Sequence, residues 1–381
     1  MALWAAHPEP QNDELLSSWL VRIAAANYQK LHPFSKAAFP GFEVWNRDVD
    51  RLAPTPILQR VSEGTATAIE RVKETTLANF EGLLFEHHNA RGNCAWILPL
   101  GVFHRIRLKR GLQFCPLCLA DEPHYFRRVW RLAFVTVCVR HAVVLYDQCP
   151  HCQEPINCHR GERGDRNDRE VDGAMTRCHL CRGDLLVEAK PKRRRDVVDV
   201  CMYQEKWLDA LFRGHTRLPN EIVLYSHLFF SGLRILFQNI ATGRAGEGIR
   251  RAMSIGTWSP DWPEGIRSIE RLNVVDRFEL ALRAGRLLED WPNRFVSHGL
   301  NAGLVSSDLI GQLKSVPFWY FRVIDEHFNA GTYSPTLPEI GNAIEYLRGR
   351  KERVTRTAVS RILGVSDAVR KRDLHWMLGE P

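Results

Sequence analysis

Apolar residues recur at three- and four-residue spacing through most of this chain, which predicts a mainly helical protein. Over residues 13–28 the series Leu16, Trp19, Leu20, Ile23 and Ala24 traces one face of a helix, with Asn12 or Asp13 placed to cap it. Prolines 33, 40, 54 and 56 punctuate the stretch that follows, and helical signal returns near 57–61 and over 66–85. From Val197 onward everything reads as helix, with apolar stripes over 200–212, 221–240, 269–288 and 318–328. Gly214, Gly243, Gly265, Gly299 and Gly331 separate those stripes, mostly as helix stops.

The pattern breaks in the middle of the chain. Residues 91–111 form a transition carrying His104, Arg105, Arg107, Lys109 and Arg110, and the block after it has few helix signals. Residues 129–137, Val-Trp-Arg-Leu-Ala-Phe-Val-Thr-Val, read as a strand. Residues 160–174 are polar and read as a loop, and the basic run 190–195 reads as a linker.

Four pairs of metal-ligand residues, each with a two-residue gap, lie inside this irregular block: Cys115/Cys118, Cys138/His141, Cys149/Cys152 and Cys178/Cys181. A tight C-x2-C turn points both side chains at one point, and four half-sites make two closed tetrahedral zinc sites, structural rather than catalytic. Sequential pairing joins Cys115, Cys118, Cys138 and His141 in one site and Cys149, Cys152, Cys178 and Cys181 in the other; an interleaved pairing fits the spacing too. His151, His159 and His179 compete for places in the second site, and Cys158 is the leading spare ligand. Cys94, Cys201 and His104 have no neighbour at ligand spacing. Disulfides would need an oxidising compartment, and the first residues carry no basic-then-apolar leader, so cytoplasm is the expected location.

The C-terminal end has its own layout. Residues 337–347 and 355–363 form two helices, Gly364-Val365 a turn, and Ser366 caps a third helix over 367–377. Val359 and Leu363 supply apolar anchors and Ser360 is small where the helices meet, as in a helix-turn-helix. Its basic residues include Arg353, Arg356, Arg361, Arg370, Lys371 and Arg372, the expected nucleic-acid contacts. The short N-terminal helices are compatible with a second such unit and equally with any small helical bundle. The expected architecture is therefore mainly α, with helix-turn-helix-like domains at 1–110 and 196–381 (its last unit about 337–378) around a tandem zinc-finger region, 111–190, that holds short β strands.

Composition narrows the function. The chain of 381 residues has a net charge of +8, which favours a polyanionic partner, and no apolar run long enough to span a membrane. It contains no G-x4-G-K-[ST] phosphate loop and no H-E-x-x-H, and the paired ligands leave no open zinc position to activate water. A non-enzymatic role is expected. A zinc-containing transcriptional regulator and, further off, a metal-dependent nuclease are the rival readings.

Two stretches resemble the TniQ/TnsD family. One is Pro8-Glu-Pro-Gln-Asn-Asp-Glu-Leu-Leu-Ser-Ser-Trp-Leu-Val-Arg-Ile-Ala24, which departs from the usual acidic-Ser-Leu at Leu15-Leu16. The other is Phe114-Cys-Pro-Leu-Cys-Leu-Ala-Asp-Glu with Trp130-Arg-Leu, Cys138-Val-Arg-His141, Leu145 and Cys149-Pro-His-Cys152. The resemblance implies a target-selection factor of a Tn7-like or related transposon. Such a factor binds target DNA or a CRISPR RNA-guided complex and recruits an AAA+ transposition ATPase. It further implies helix-turn-helix-like domains flanking the zinc fingers and, in the RNA-guided branch, a homodimer.

Overall fold

The computed structural model describes residues 3–160, 175–188, 194–253, 266, 268–311, 313, 315–329 and 335–364. About half of it is helix, and its strands are short two-stranded hairpins, as the sequence pattern predicts. The chain divides into two compact units, 1–325 and 326–381.

The first unit begins with the helix Leu16–Ala26, whose Leu16, Trp19, Leu20, Ile23 and Ala24 are completely buried. Neither Asn12 nor Asp13 caps it. The N-cap is Leu15, without a side-chain hydrogen bond. Asp13 has φ 59° and instead accepts hydrogen bonds from Arg128 Nε and Val129 N, both at 3.3 Å.

The polar residues of this segment knit it to distant chain. Ser17 donates to buried Asp50 through its N–H (2.7 Å) and its hydroxyl (2.9 Å). Ser18 donates to Glu14 and accepts the N–H of Phe126, and Arg22 pairs with Glu14 at 2.6 Å. Trp19 Nε1 donates to Pro8 O. A buried carboxylate is tolerable only when paired and hydrogen-bonded, and Glu14 and Asp50 both are. The Ser-Ser-Trp-x-x-Arg motif is thus a folding device.

The predicted strand over 129–137 is corrected. Residues Arg128–Arg131 form a 3-10 turn, and only Val137–Cys138 is strand, paired antiparallel with Val143–Val144. The reason is Arg131, fully buried and bonded to Asp48, Asp50 and Leu98 O. Both sides of residues 132–135 are buried, so the apolar run reflects enclosure rather than a ladder.

A second correction concerns the segment after Val197. Helices Arg194–Arg213, Ser226–Ala241 and Val274–Leu288 are present, but an antiparallel hairpin, His215–Arg217 with Val223–Tyr225, interrupts them. Gly214 at φ 76° ends the first helix and Glu221 at φ 66° turns the hairpin. Gly243 opens the helix Gly243–Met253, and Gly299 lies inside Asn293–Asn301. Gly265 and Gly331 fall outside the described residues.

An aromatic core unites these parts. Trp96 is 1 % exposed, donates Nε1–H to Phe230 O at 3.0 Å and meets Phe134 and Phe237 edge-on. Gln204, on the helix Arg194–Arg213, accepts the N–H groups of Thr136 and Val137 and donates to Val137 O. Arg277 donates to Ala133 O and Gln113 Oε1, while Gln113 donates to Trp130 O and Val135 O. Burial pushes the Arg277 guanidinium down to about 10, opposed by Asp147 at 3.8 Å. These side chains satisfy the backbone of a segment that has almost no ladder of its own.

In the second unit, Leu337–Gly349 starts with a capping box between Thr336 and Glu339, and Thr355 caps Arg356–Leu363. Ile340, Ala343, Ile344, Leu347 and Val359 form its core, with Val354, Ala358 and Leu363 against it. Gly364 ends the second helix at φ 67°. Val365, Ser366 and the third helix expected over 367–377 lie outside the described residues.

Candidate metal centres and basic surface

Each metal half-site is a tight turn in which a backbone N–H leans on the first sulfur. Cys118 N donates to Cys115 Sγ at 3.5 Å, His151 N to Cys149 Sγ at 3.4 Å and Leu180 N to Cys178 Sγ at 3.4 Å. Such donors stabilise a thiolate before any metal arrives. The residue after the second ligand takes a left-handed backbone in three of the turns: Ala142 (φ 49°), Gln153 (φ 62°) and Arg182 (φ 60°). The fourth turn, with Pro116 at its first helical position, runs instead into the short helix Pro116–Leu119.

The turns pair sequentially. Cys115, Cys118, Cys138 and His141 converge in one cluster, and Cys149, Cys152, Cys178 and Cys181 in another, with all ligand atoms of a cluster within 4.8 Å of one another. In the first, Cys118 and Cys138 sulfurs are 3.5 Å apart, and His141 Nδ1 lies 3.5, 3.3 and 3.5 Å from Cys115, Cys118 and Cys138. In the second, Cys149–Cys181 and Cys152–Cys178 are 3.7 and 3.6 Å.

A tetrahedron with Zn–S of about 2.3 Å and Zn–N of about 2.05 Å has edges of about 3.8 Å (S–S) and about 3.6 Å (S–N). The observed edges come within about 0.3 Å of those values. A disulfide would need about 2.0 Å, and all ten cysteines are free. Either cluster could hold one metal ion of this size and coordination, with no ligand position left for a substrate.

Hydrogen bonds from Cys115 and Cys118 hold Cys138 down to about 3, while the same exchange with Cys118 pushes Cys115 up. In the second cluster the N–H of Gly183 draws Cys181 down to about 7.

The rival ligands lie elsewhere. His151 bonds Asp184 O through Nε2 at 2.8 Å, and His179 meets Asn157 Nδ2 at 3.5 Å. His159 is buried, bonds Arg105 O at 2.9 Å and stacks on Trp45 at 5.1 Å. Cys94, Cys158 and Cys201 are buried singly; Cys158 sits beside Arg107, and burial raises its thiol. His104 is exposed against Phe103.

Of the basic residues expected to meet nucleic acid, Arg353, Arg356 and Arg361 are exposed in the second unit. Glu352 holds Arg361 at 2.7 Å and Arg350 at 3.0 Å, so part of that charge is internally compensated. Arg370, Lys371 and Arg372 lie outside the described residues. Sequence reading did not single out the buried cations Arg131 and Arg277, whose partners come from remote parts of the chain.

Among the described residues no helix is long and apolar enough to cross a membrane. Comparison with curated proteins finds no match. The model of the TniQ family matches residues 5–145, a span that takes in the Ser17–Ser18–Arg22 network and the whole first metal cluster, so this N-terminal part of the chain is similar to the TniQ domain.

Proposed function

We propose that this protein is a non-enzymatic target-selection factor of a Tn7-like or related transposon. It binds target DNA, or an RNA-guided complex already on it, and presents the site to an AAA+ transposition ATPase. The observation that carries the reading is the TniQ match over 5–145, the region built around the first four-ligand cluster.

Zinc fills both clusters in this proposal: four-thiolate and three-thiolate–imidazole sets are its structural donor sets. The ion supplies folding energy and fixes the turns, and both ligand sets are complete without substrate. The protein then works as a scaffold in three segments, 1–110, 111–190 and 196–381. Its C-terminal helices present Arg353, Arg356 and Arg361 to phosphate, and Arg370, Lys371 and Arg372 are further proposed contacts in the sequence that follows. A homodimer would double that surface.

Reconstitution tests this directly. Metal-loaded protein, mixed with the AAA+ ATPase and transposase of a Tn7-like element, is expected to retain the ATPase on beads and to focus insertions at one site. Operator binding with no ATPase retention and no effect on insertion would instead establish the regulator reading.

A further inference from the structure

The basic transition before the metal block, residues 91–111, folds into a hairpin that the metal centres do not use. Val102–Phe103 pairs with Ile106–Arg107, and His104 and Arg105 make the two-residue turn at φ 45° and 67°. Such turns favour Asn-Gly, because both positions need positive φ. Here the strained turn is pinned from behind: Arg105 O accepts His159 Nε2 at 2.9 Å, and the Arg105 guanidinium bonds Glu43 at 2.8 Å. Strain held by surrounding structure points to a presentation role. What it presents is Phe103, a ring 61 % exposed.

Beside the hairpin lies a concavity of about 410 Å³, lined by Val102 and by Arg47, Asp48, Arg51 and Lys109 among others. Its one acid is already committed, since Asp48 pairs with buried Arg131 at 2.7 Å. The side chains of Arg47 and Lys109 have neither an ion pair nor a hydrogen bond among the described residues, and Arg51 donates only to a carbonyl, Asn89 O. Room for the lysine is built in. Its stem crosses Gly101 (φ 58°), where a Cβ would come within 2.9 Å of Lys109 Cγ.

We propose that this concavity and hairpin hold single-stranded nucleic acid, with a backbone phosphate among Arg47, Arg51 and Lys109 and a base stacked on Phe103. Cations without an ion pair in a hollow, and an exposed ring on the adjoining hairpin, are the two parts such sites combine. A duplex, whose bases are already stacked, gains nothing from Phe103. The inference extends the target-selection reading and rests on it only for the source of the strand, a guide RNA or an opened DNA strand.

The test uses the full chain, metal-loaded, and the anisotropy of labelled twelve-residue oligouridine, oligothymidine and a mixed-sequence duplex across a salt series. Arg47→Glu/Lys109→Glu is expected to weaken single-strand binding at least about tenfold and to lower the logarithmic salt slope by about 0.7, one phosphate contact's worth. Arg47→Gln/Lys109→Gln gives a smaller loss in the same direction, should the reversal disturb folding. Phe103→Ala is expected to cost about tenfold with the slope unchanged, because stacking releases no counterions.

Preference for uridine supports an RNA source, and parity or preference for thymidine supports a DNA strand. Full affinity and slope in both charge variants overturns the proposal. So does loss confined to the duplex with Phe103→Ala silent, or a wild-type chain that binds neither oligonucleotide. Arg353→Glu/Arg361→Glu, measured alongside, reports on the C-terminal surface separately, so either reading can fail alone.

Discussion

The two metal clusters use the same local turns but sit in different surroundings. Cys115, Cys118 and Cys138 are at most 8 % exposed, and the strand that delivers Cys138 is clamped by Gln204 from a twenty-residue helix. In the second cluster Cys149 and Cys178 are buried, Cys152 is half-buried and Cys181 is exposed. Its neighbours are local: Cys149 N bonds Glu154 O, and Cys178 N bonds Gly183 O. The first cluster is therefore part of the core of the unit, whereas the second is a small, locally built module. Equal ligand counts do not mean equal leverage on the fold.

The largest expected effect separates the two. Structural zinc sites in small peptides are worth on the order of 10–16 kcal/mol, comparable to a whole domain's stability of about 5–15 kcal/mol. Cys138→Ser is expected to abolish the cooperative melt and lower soluble yield. Cys181→Ser is expected to keep a cooperative far-UV melt while bound metal falls from two ions per chain to one. Native mass spectrometry and circular dichroism read both. Equal collapse of the two variants would mean that the second module is as central as the first.

How legible these centres were follows from distance along the chain. Each half-site is complete within four residues, so spacing alone pointed to Cys115/Cys118, Cys138/His141, Cys149/Cys152 and Cys178/Cys181. The supports were invisible for the opposite reason. Arg131 finds Asp48 and Asp50 across 83 and 81 residues, and Gln204 finds Thr136 across 68. No local pattern distinguishes such side chains from solvated ones. The failed strand over 129–137 has the same origin, since a β-branched apolar run looks alike whether it joins a ladder or is wrapped on all sides. The missed hairpin has strands of three residues, too short for any period to register.

Gln204 gives the intermediate test, because it acts only on the first cluster. Gln204→Ala leaves the N–H groups of Thr136 and Val137 and the carbonyl of Val137 buried without their partner. At about 1–3 kcal/mol per stranded group, partly relieved by water entry, a loss of about 2–4 kcal/mol is expected. Denaturant melts measure it, and a chromogenic chelator should draw metal from the first cluster several-fold faster. An unchanged melt would show that the clamp is redundant and that the first cluster stands by itself as the second does.

The smallest effect belongs to His151, and it probes how self-contained the second module is. Its ring bonds Asp184 O at 2.8 Å and lies over Gly183, where a Cβ would sit 2.5 Å from His151 Cδ2 and 3.3 Å from Cys181 Sγ. The imidazole thus covers the side of the cluster that carries the exposed sulfur. His151→Ala removes one partly exposed hydrogen bond, worth about 0.5–1.5 kcal/mol, and opens that side to a chelator. Release of one metal is expected to speed up several-fold, with the first cluster's release and the global melt unchanged. A fall in the melt, or faster release from both clusters, would mean that the second module transmits its strain into the core; the contrast between a structural centre and an appended one would then have to be abandoned.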